Sequence, residues 1–117
     1  MNIMHGYRDN KPLRDSFNAL AEQTFGLSFE GWYQNGFWGD NYDPHSMILD
    51  GRVVSNVSVN RTDLVIGGKR YHILQLGTVM TAPEYRGRGY GRAIMAYIEK
   101  EYADADGVYL FANDSVV

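Results

Sequence analysis

Hydrophobic positions along the chain change period several times, and each change marks an element. Leu13, Phe17, Leu20 and Ala21 recur at spacings of three and four, which predicts a helix over Pro12 to Thr24. Pro12 suits a first-turn position and Gly26 a stop. The stretch from Gly26 to Pro44 is aromatic (Phe29, Trp32, Tyr33, Phe37, Trp38, Tyr42) and broken by Gly31, Gly36 and Gly39. It reads as a short helix around Phe29 to Gln34 followed by a loop, with most rings packed on the domain and one or two free to line a pocket. From Ser46 the period becomes two. Ser46 to Leu49 is a strand, Asp50-Gly51 a turn, and Val53 to Val59 a strand alternating Val53, Ser55, Val57 and Val59 against Val54, Asn56 and Ser58. An irregularity is expected over Asn60 to Asp63 before the strand resumes at Leu64 to Ile66, and Gly67-Gly68 signals a hairpin.

Tyr71 to Thr81 carries apolar residues on both faces, as a central strand does. Gly91 to Tyr102 is the most regular helix, with Ile94, Met95, Ile98 and Tyr102 on one side. After a polar break at Asp104 to Gly107, Val108 to Ala112 is a buried type of strand. Strand, helix and strand over Tyr71 to Ala112 form one βαβ unit, hence a parallel pair. The fold class is mixed α/β (α+β): a mostly antiparallel central sheet with one parallel βαβ unit, flanked by helices. No repeat or linker divides the 117 residues, so residues 1–117 are expected to form a single domain.

Composition narrows the chemistry. Cysteine is absent, which removes thiol nucleophiles, disulfides and thiolate metal sites. His5, His45 and His72 stand in no metal-binding spacing, so no metal is expected. A net charge of −3 gives no global attraction for nucleic acid or an anionic membrane. The apolar run Ala93 to Ile98 is far short of a bilayer span, and the N-terminus lacks a signal-peptide stretch, so a cytoplasmic protein is expected.

Charge and glycine concentrate in one place, Pro83-Glu84-Tyr85-Arg86-Gly87-Arg88-Gly89-Tyr90-Gly91-Arg92. A strand runs out into three glycines at alternate positions, and a helix begins on the last. The first turn of a helix has unpaired N–H groups, and glycines let a loop curl so that such groups converge. With the positive end of the helix dipole behind it, this is an anion cradle suited to phosphate. No Gly-Lys-Ser/Thr follows, so it is not a P-loop, and its GxGxG spacing is not the GxGxxG of dinucleotide folds. A glycine-rich helix entry with solvated arginines, or an RGG-like RNA-binding tract, are the competing readings; the clamping between strand and helix weighs against the second.

The stretch Val79-x-Thr81-x-Pro83-x-Tyr85-Arg86-Gly87-Arg88-Gly89-Tyr90-Gly91 resembles the acetyl-CoA-binding motif of the GCN5-related N-acetyltransferases (GNAT), Q/R-x-x-G-x-G/A after a V-x-x-P strand end, with Arg86, Gly89 and Gly91 in its three fixed positions. The resemblance covers nearly the whole chain. Gln75 to Thr81 and Leu110 to Val117 are similar to a bacterial branch of unassigned substrate. The resemblance implies a GNAT-like fold and acetyl transfer from acetyl-CoA to a primary amine of a small-molecule or peptide acceptor, both substrates being bound together. It implies that the amides from Gly87 through Arg88, Gly89 and Tyr90 to Gly91, beside Arg86, Arg88 and Arg92, hold the CoA pyrophosphate. It also implies that the backbone at Val79 and Thr81 pairs with the pantetheine arm, and that Asn113 lies near the cofactor.

Two departures from the pattern matter. Some members of the family carry a glutamate base at the position of Gln75, eleven residues before Arg86, and glutamine cannot take up a proton there. His72 is the nearest titratable group in that strand and lies on the opposite face by alternation. The family continues after its fifth strand with a helix bearing an acid tyrosine and then two more strands. Asn113 to Val117 resembles the start of that segment, so the chain is expected to be the N-terminal and central part of such a domain. Catalytic residues stay unassigned. An exposed sheet edge beside Val108 to Ala112 raises the expectation of a homodimer, and a non-catalytic acyl-CoA-binding or regulatory module is the alternative function.

Overall fold

The computed structural model describes residues 2–110. Its elements in chain order are strand β1 (Ile3–Met4), helix α1 (Lys11–Phe25), helix α2 (Glu30–Gln34), strands β2 (Tyr42–Leu49), β3 (Arg52–Ile66) and β4 (Lys69–Thr81), a 3₁₀ turn at Pro83–Tyr85, helix α3 (Tyr90–Glu101) and strand β5 (Gly107–Leu110). The five strands form one sheet in sequence order. β1 to β4 pair antiparallel, and β5 lies parallel to β4 over Ile73 to Leu76. This is the mixed architecture that the pattern predicts, with α3 as the crossover of the βαβ unit.

Each face of the sheet carries its own core. Phe17, Leu20 and Ala21 of α1 pack with Trp38, Ile48, Val53, Met80 and Ala82 on one face. Ile94 and Ile98 of α3 pack with Met47, Val54, Val57, Val59, Leu74 and Leu76 on the other. Residues 53–59 of β3 are therefore all buried, and polar members of that run must find partners inside.

Two bulges decide which face each residue serves. Opposite Met47 and Ile48, β3 carries Val54 as an extra residue. Val53 and Val57 consequently belong to different cores, where strict alternation puts them on one face. In the second bulge Ser58 faces Gly77 and Asn56 faces Met80, so Thr78 and Val79 together oppose Val57. Leu74 and Leu76 therefore face α3, whereas Met80 and Ala82 face α1.

Three boundaries differ from expectation. The irregularity expected at Asn60 to Asp63 is absent: those residues pair in register with Gln75 to His72. β2 begins at Tyr42, not at Ser46, because Pro44 is tolerated where β2 has run past the end of β1, which pairs only with Ser46 and Met47. The two-residue β1 leaves no periodic signal. Phe111 and Ala112, expected to extend β5, lie outside the described residues.

Candidate functional site

The loop between β4 and α3 is shaped by left-handed backbone at Gly87 and Gly89, both at φ +79°. Gly89 is the N-cap of α3 and offers no side chain to the first turn, which also contains no acid. The first amide of this segment to find a helical partner is that of Ala93, which donates to the Gly89 carbonyl at 3.0 Å. Among the described residues no acceptor takes the N–H groups of residues 87–92. A Cβ placed at Gly87, Gly89 or Gly91 meets open space, so no neighbouring group fills the hollow.

These amides border a cleft of about 510 Å³. Its walls include Thr81 at the end of β4, Arg86, Gly87, Gly89, Tyr90, Gly91 and Arg92. The sequence-predicted residues therefore come together with two exceptions among those described. Arg88 is not among the lining residues, and its guanidinium lies 5.1 Å from the centre of the ring of Tyr85, which is. Val79 packs towards the α3 core. Arg86 is partly engaged: its Nε donates to the Thr81 carbonyl at 3.1 Å, tying the strand exit to the loop. Asn113 lies outside the described residues. Sequence reasoning missed Thr24, Met80 and Tyr85 as cleft residues. Thr24 sits in the last turn of α1, and its buried hydroxyl has no hydrogen-bond partner among the described residues. The helical periodicity at Thr24 carries no sign of that contact.

Among the described residues β5 (Gly107–Leu110) pairs with β4 up to Leu76, and no described strand lies beside residues 77–81 on that side. The Thr78 carbonyl accepts from Asn56 Nδ2 at 2.9 Å and the Met80 carbonyl from Ser55 Oγ at 3.3 Å, both towards β3. The Ala82 amide donates to the Val54 carbonyl at 2.8 Å on that same side. By alternation the polar groups of Val79 and Thr81 face the outer edge, where no described strand pairs with them.

The other titratable residues fall elsewhere. His72 is exposed and pairs with Asp63, and its amide donates to Asp106 Oδ2 at 2.7 Å. Gln75 lies within the ladder, opposite Asn60. His5 and His45, distant in sequence, stack with centroids 4.4 Å apart and planes 4° from parallel, beside Asp43. His45 Nδ1 faces the Asp43 carbonyl at 2.9 Å and Nε2 the Tyr102 hydroxyl at 3.1 Å. Ligand atoms of His5, Asp43 and His45 all lie within 4.8 Å of one another, a grouping that the spacing of the histidines along the chain does not announce. Burial pushes the His45 imidazole below its ordinary range. Of the aromatic stretch, Trp38 is buried and Phe37 is 67% exposed. Trp38 and Tyr42 line a second hollow of about 610 Å³ with His5, Asp9, Asp40 and Asp43, in which Arg8 pairs with Asp40 at 2.7 Å.

Comparison with known proteins gives the family and the fold. Residues 11–113 match the acetyltransferase (GNAT) domain, and the chain belongs to that family. No curated protein matches it by sequence. A conserved protein of unknown function from Enterococcus faecalis V583 superposes with a TM-score of 0.75 at 21% identity, over 93% of this chain and 28% of that one. A ribosomal-protein-alanine N-acetyltransferase from Brucella melitensis biovar Abortus 2308 gives 0.73 at 14% identity, over 97% and 81%. An aminoglycoside 6′-N-acetyltransferase solved with coenzyme A gives 0.72 at 18% identity, over 94% and 61%. The chain thus spans little more than a quarter of the first of these proteins. At such identities the likeness concerns the fold. Among the described residues no helix is long and apolar enough to cross a membrane.

Proposed function

We propose that this chain acts as an acetyl-CoA-dependent N-acetyltransferase, transferring an acetyl group from acetyl-CoA to a primary amine. The observation that carries the reading is the run of unpartnered amides at residues 87–92, open to the cleft at the positive end of α3. A diphosphate is the CoA group that matches it: several anionic oxygens for several convergent N–H donors, with Arg92 beside them. The coenzyme A held by one structural neighbour agrees in chemistry. Arg86 would add its remaining guanidinium hydrogens to the phosphate while Nε stays on Thr81. The outward N–H and C=O groups of Val79 and Thr81 supply the pairing that an extended amide-containing arm requires.

Acetyl-CoA when bound supplies a thioester, whose carbonyl carbon is open to attack by a neutral amine. Holding both reactants on one scaffold removes much of the entropic cost of their encounter. An outward amide at the end of β4 would stabilise the developing oxyanion. Gln75 cannot serve as base, so the amine would arrive neutral or lose its proton through water; as the C–N bond forms the C–S bond breaks, and CoA leaves as a thiolate that takes up a proton from water. A small-molecule or peptide amine is the acceptor class. A non-catalytic acyl-CoA module uses the same cradle and differs only in turnover.

Thermal unfolding with CoA tests the reading. A ligand present at a hundred times its dissociation constant adds about 2.7 kcal/mol to stability, a rise of several degrees in Tm. The Arg86→Ala, Gly89→Ala double variant should lose most of that rise. A wild-type Tm indifferent to millimolar CoA would remove the proposal. Thiol release with a panel of amines then separates enzyme from module.

A further inference from the structure

Thr78 is a β-branched residue at φ +48°, a conformation that such residues avoid. It persists only where its surroundings over-determine it. Here they do so through a buried chain of hydrogen bonds crossing three strands. The Tyr7 hydroxyl meets Ser46 Oγ at 2.7 Å, and Ser46 Oγ donates to Asn56 Oδ1 at 2.8 Å. Asn56 Nδ2 spends one hydrogen on Ser58 Oγ at 3.0 Å and the other on the Thr78 carbonyl at 2.9 Å. The Tyr42 hydroxyl closes the far side at 2.7 Å from Thr78 Oγ1. Asn56 and Ser46 are fully buried, and Tyr7 and Ser58 nearly so.

We infer that Tyr42 and Asn56 are positioning residues for the pantetheine arm: by capturing the hydroxyl and the carbonyl of Thr78 they fix the β4 bulge that turns Val79 and Thr81 to the outer edge. This rests on the cofactor reading above and adds a function to polar groups that the core alone does not need. Both hydrogens and the oxygen of the Asn56 amide are used, so its orientation is single-valued. Removing one partner leaves a buried polar group unsatisfied and the bulge free to relax into ordinary pairing. A one-residue slip at Thr78 would exchange the inward and outward polar groups of Val79 and Met80. The amides of the cradle at residues 87–92 are set by the left-handed Gly87 and Gly89 and not by that register, the Arg86 Nε bond to the Thr81 carbonyl being a link between the two.

The two halves of CoA read the two devices separately. The probe pair is CoA itself and its nucleotide half, adenosine 3′-phosphate 5′-diphosphate, which carries phosphates but no arm. Binding of each is measured by calorimetry to the wild type, Tyr42→Phe and Thr78→Val. The expected result is a loss of about tenfold or more in CoA affinity in both variants, no change for the nucleotide, and no further loss in the double variant. Thr78→Ser, which keeps the hydroxyl, should retain wild-type affinity. Unchanged CoA binding in Tyr42→Phe, or an equal loss for CoA and nucleotide, overturns the inference while leaving the cradle standing. A wild type that binds neither probe removes the cofactor reading and this inference with it.

Discussion

The two long helices begin in opposite ways. α1 is closed on itself: Asn10 Oδ1 accepts the Leu13 amide at 3.2 Å, and Pro12 in the first turn has no N–H to satisfy. α3 is left open: its cap is glycine, which has no side chain to accept, and the amides of residues 87–92 have no partner among the described residues. At α1 proline removes one orphan N–H, Asn10 Oδ1 takes that of Leu13, and the Tyr7 carbonyl takes that of Asn10 at 2.8 Å. At α3 the first-turn amides stay open, and on the cofactor reading proposed above an anionic group would occupy them. A helix end therefore reveals its purpose by what the sequence withholds from it.

The contrast can be inverted by mutation. Gly89→Asp gives α3 the cap it lacks, and aspartate tolerates a left-handed backbone better than most residues. It also places a negative charge in the cradle. CoA affinity should fall by about a hundredfold while the ligand-free Tm changes little, the strain of a side chain at φ +79° offsetting the new cap, a pair of results that calorimetry and thermal melts would show. Arg86→Ala should weaken CoA about tenfold, since it removes one cation and the tether to Thr81. The mirror change at α1, Asn10→Ala, should cost about 1 kcal/mol of stability and leave CoA affinity untouched. If Asn10→Ala instead weakened CoA, the two ends would not be independent.

Acid sharpens the same contrast from a third place. Burial, the largest influence, holds His45 below its usual 6.5, helped by His5 and opposed by the Asp43 carbonyl and by the charges of Asp43 and Glu101. The unfolded chain then binds more protons than the folded one just below pH 6.5, so stability falls as the pH drops through that value and levels off below the folded pKa. Denaturant midpoints between pH 7.5 and 5 should decline in the wild type and flatten in His45→Gln. Salt provides the smallest test: 0.5 M chloride should weaken CoA binding and leave the Asn10 cap unmoved.

Much of the fold was legible because periodicity and turn chemistry agree. Gly26 stops α1 in a left-handed cap at φ +73°, its amide on the Glu22 carbonyl. Asp50-Gly51 and Gly67-Gly68 turn with positive φ throughout. The glycine loop that opens α3 was legible because glycine spacing, charge and the strand-to-helix junction coincide at residues 86–92. The bulges were not, because a strand buried on both faces shows no polar alternation to break, and Val53 to Val59 look regular either way. Thr78 was opaque for the related reason that its strain is imposed by Asn56 and Tyr42, each more than twenty positions away. Likewise nothing local to His5 announces His45.

The central claim concerns individual amides, so it is best tested at individual amides. In a ¹⁵N-labelled sample titrated with CoA, the backbone resonances of residues 87–92 should move furthest, in step with binding, while those of residues 11–14 at the capped end of α1 stay in place. Resonances of 87–92 that remain fixed under saturating CoA would contradict the account.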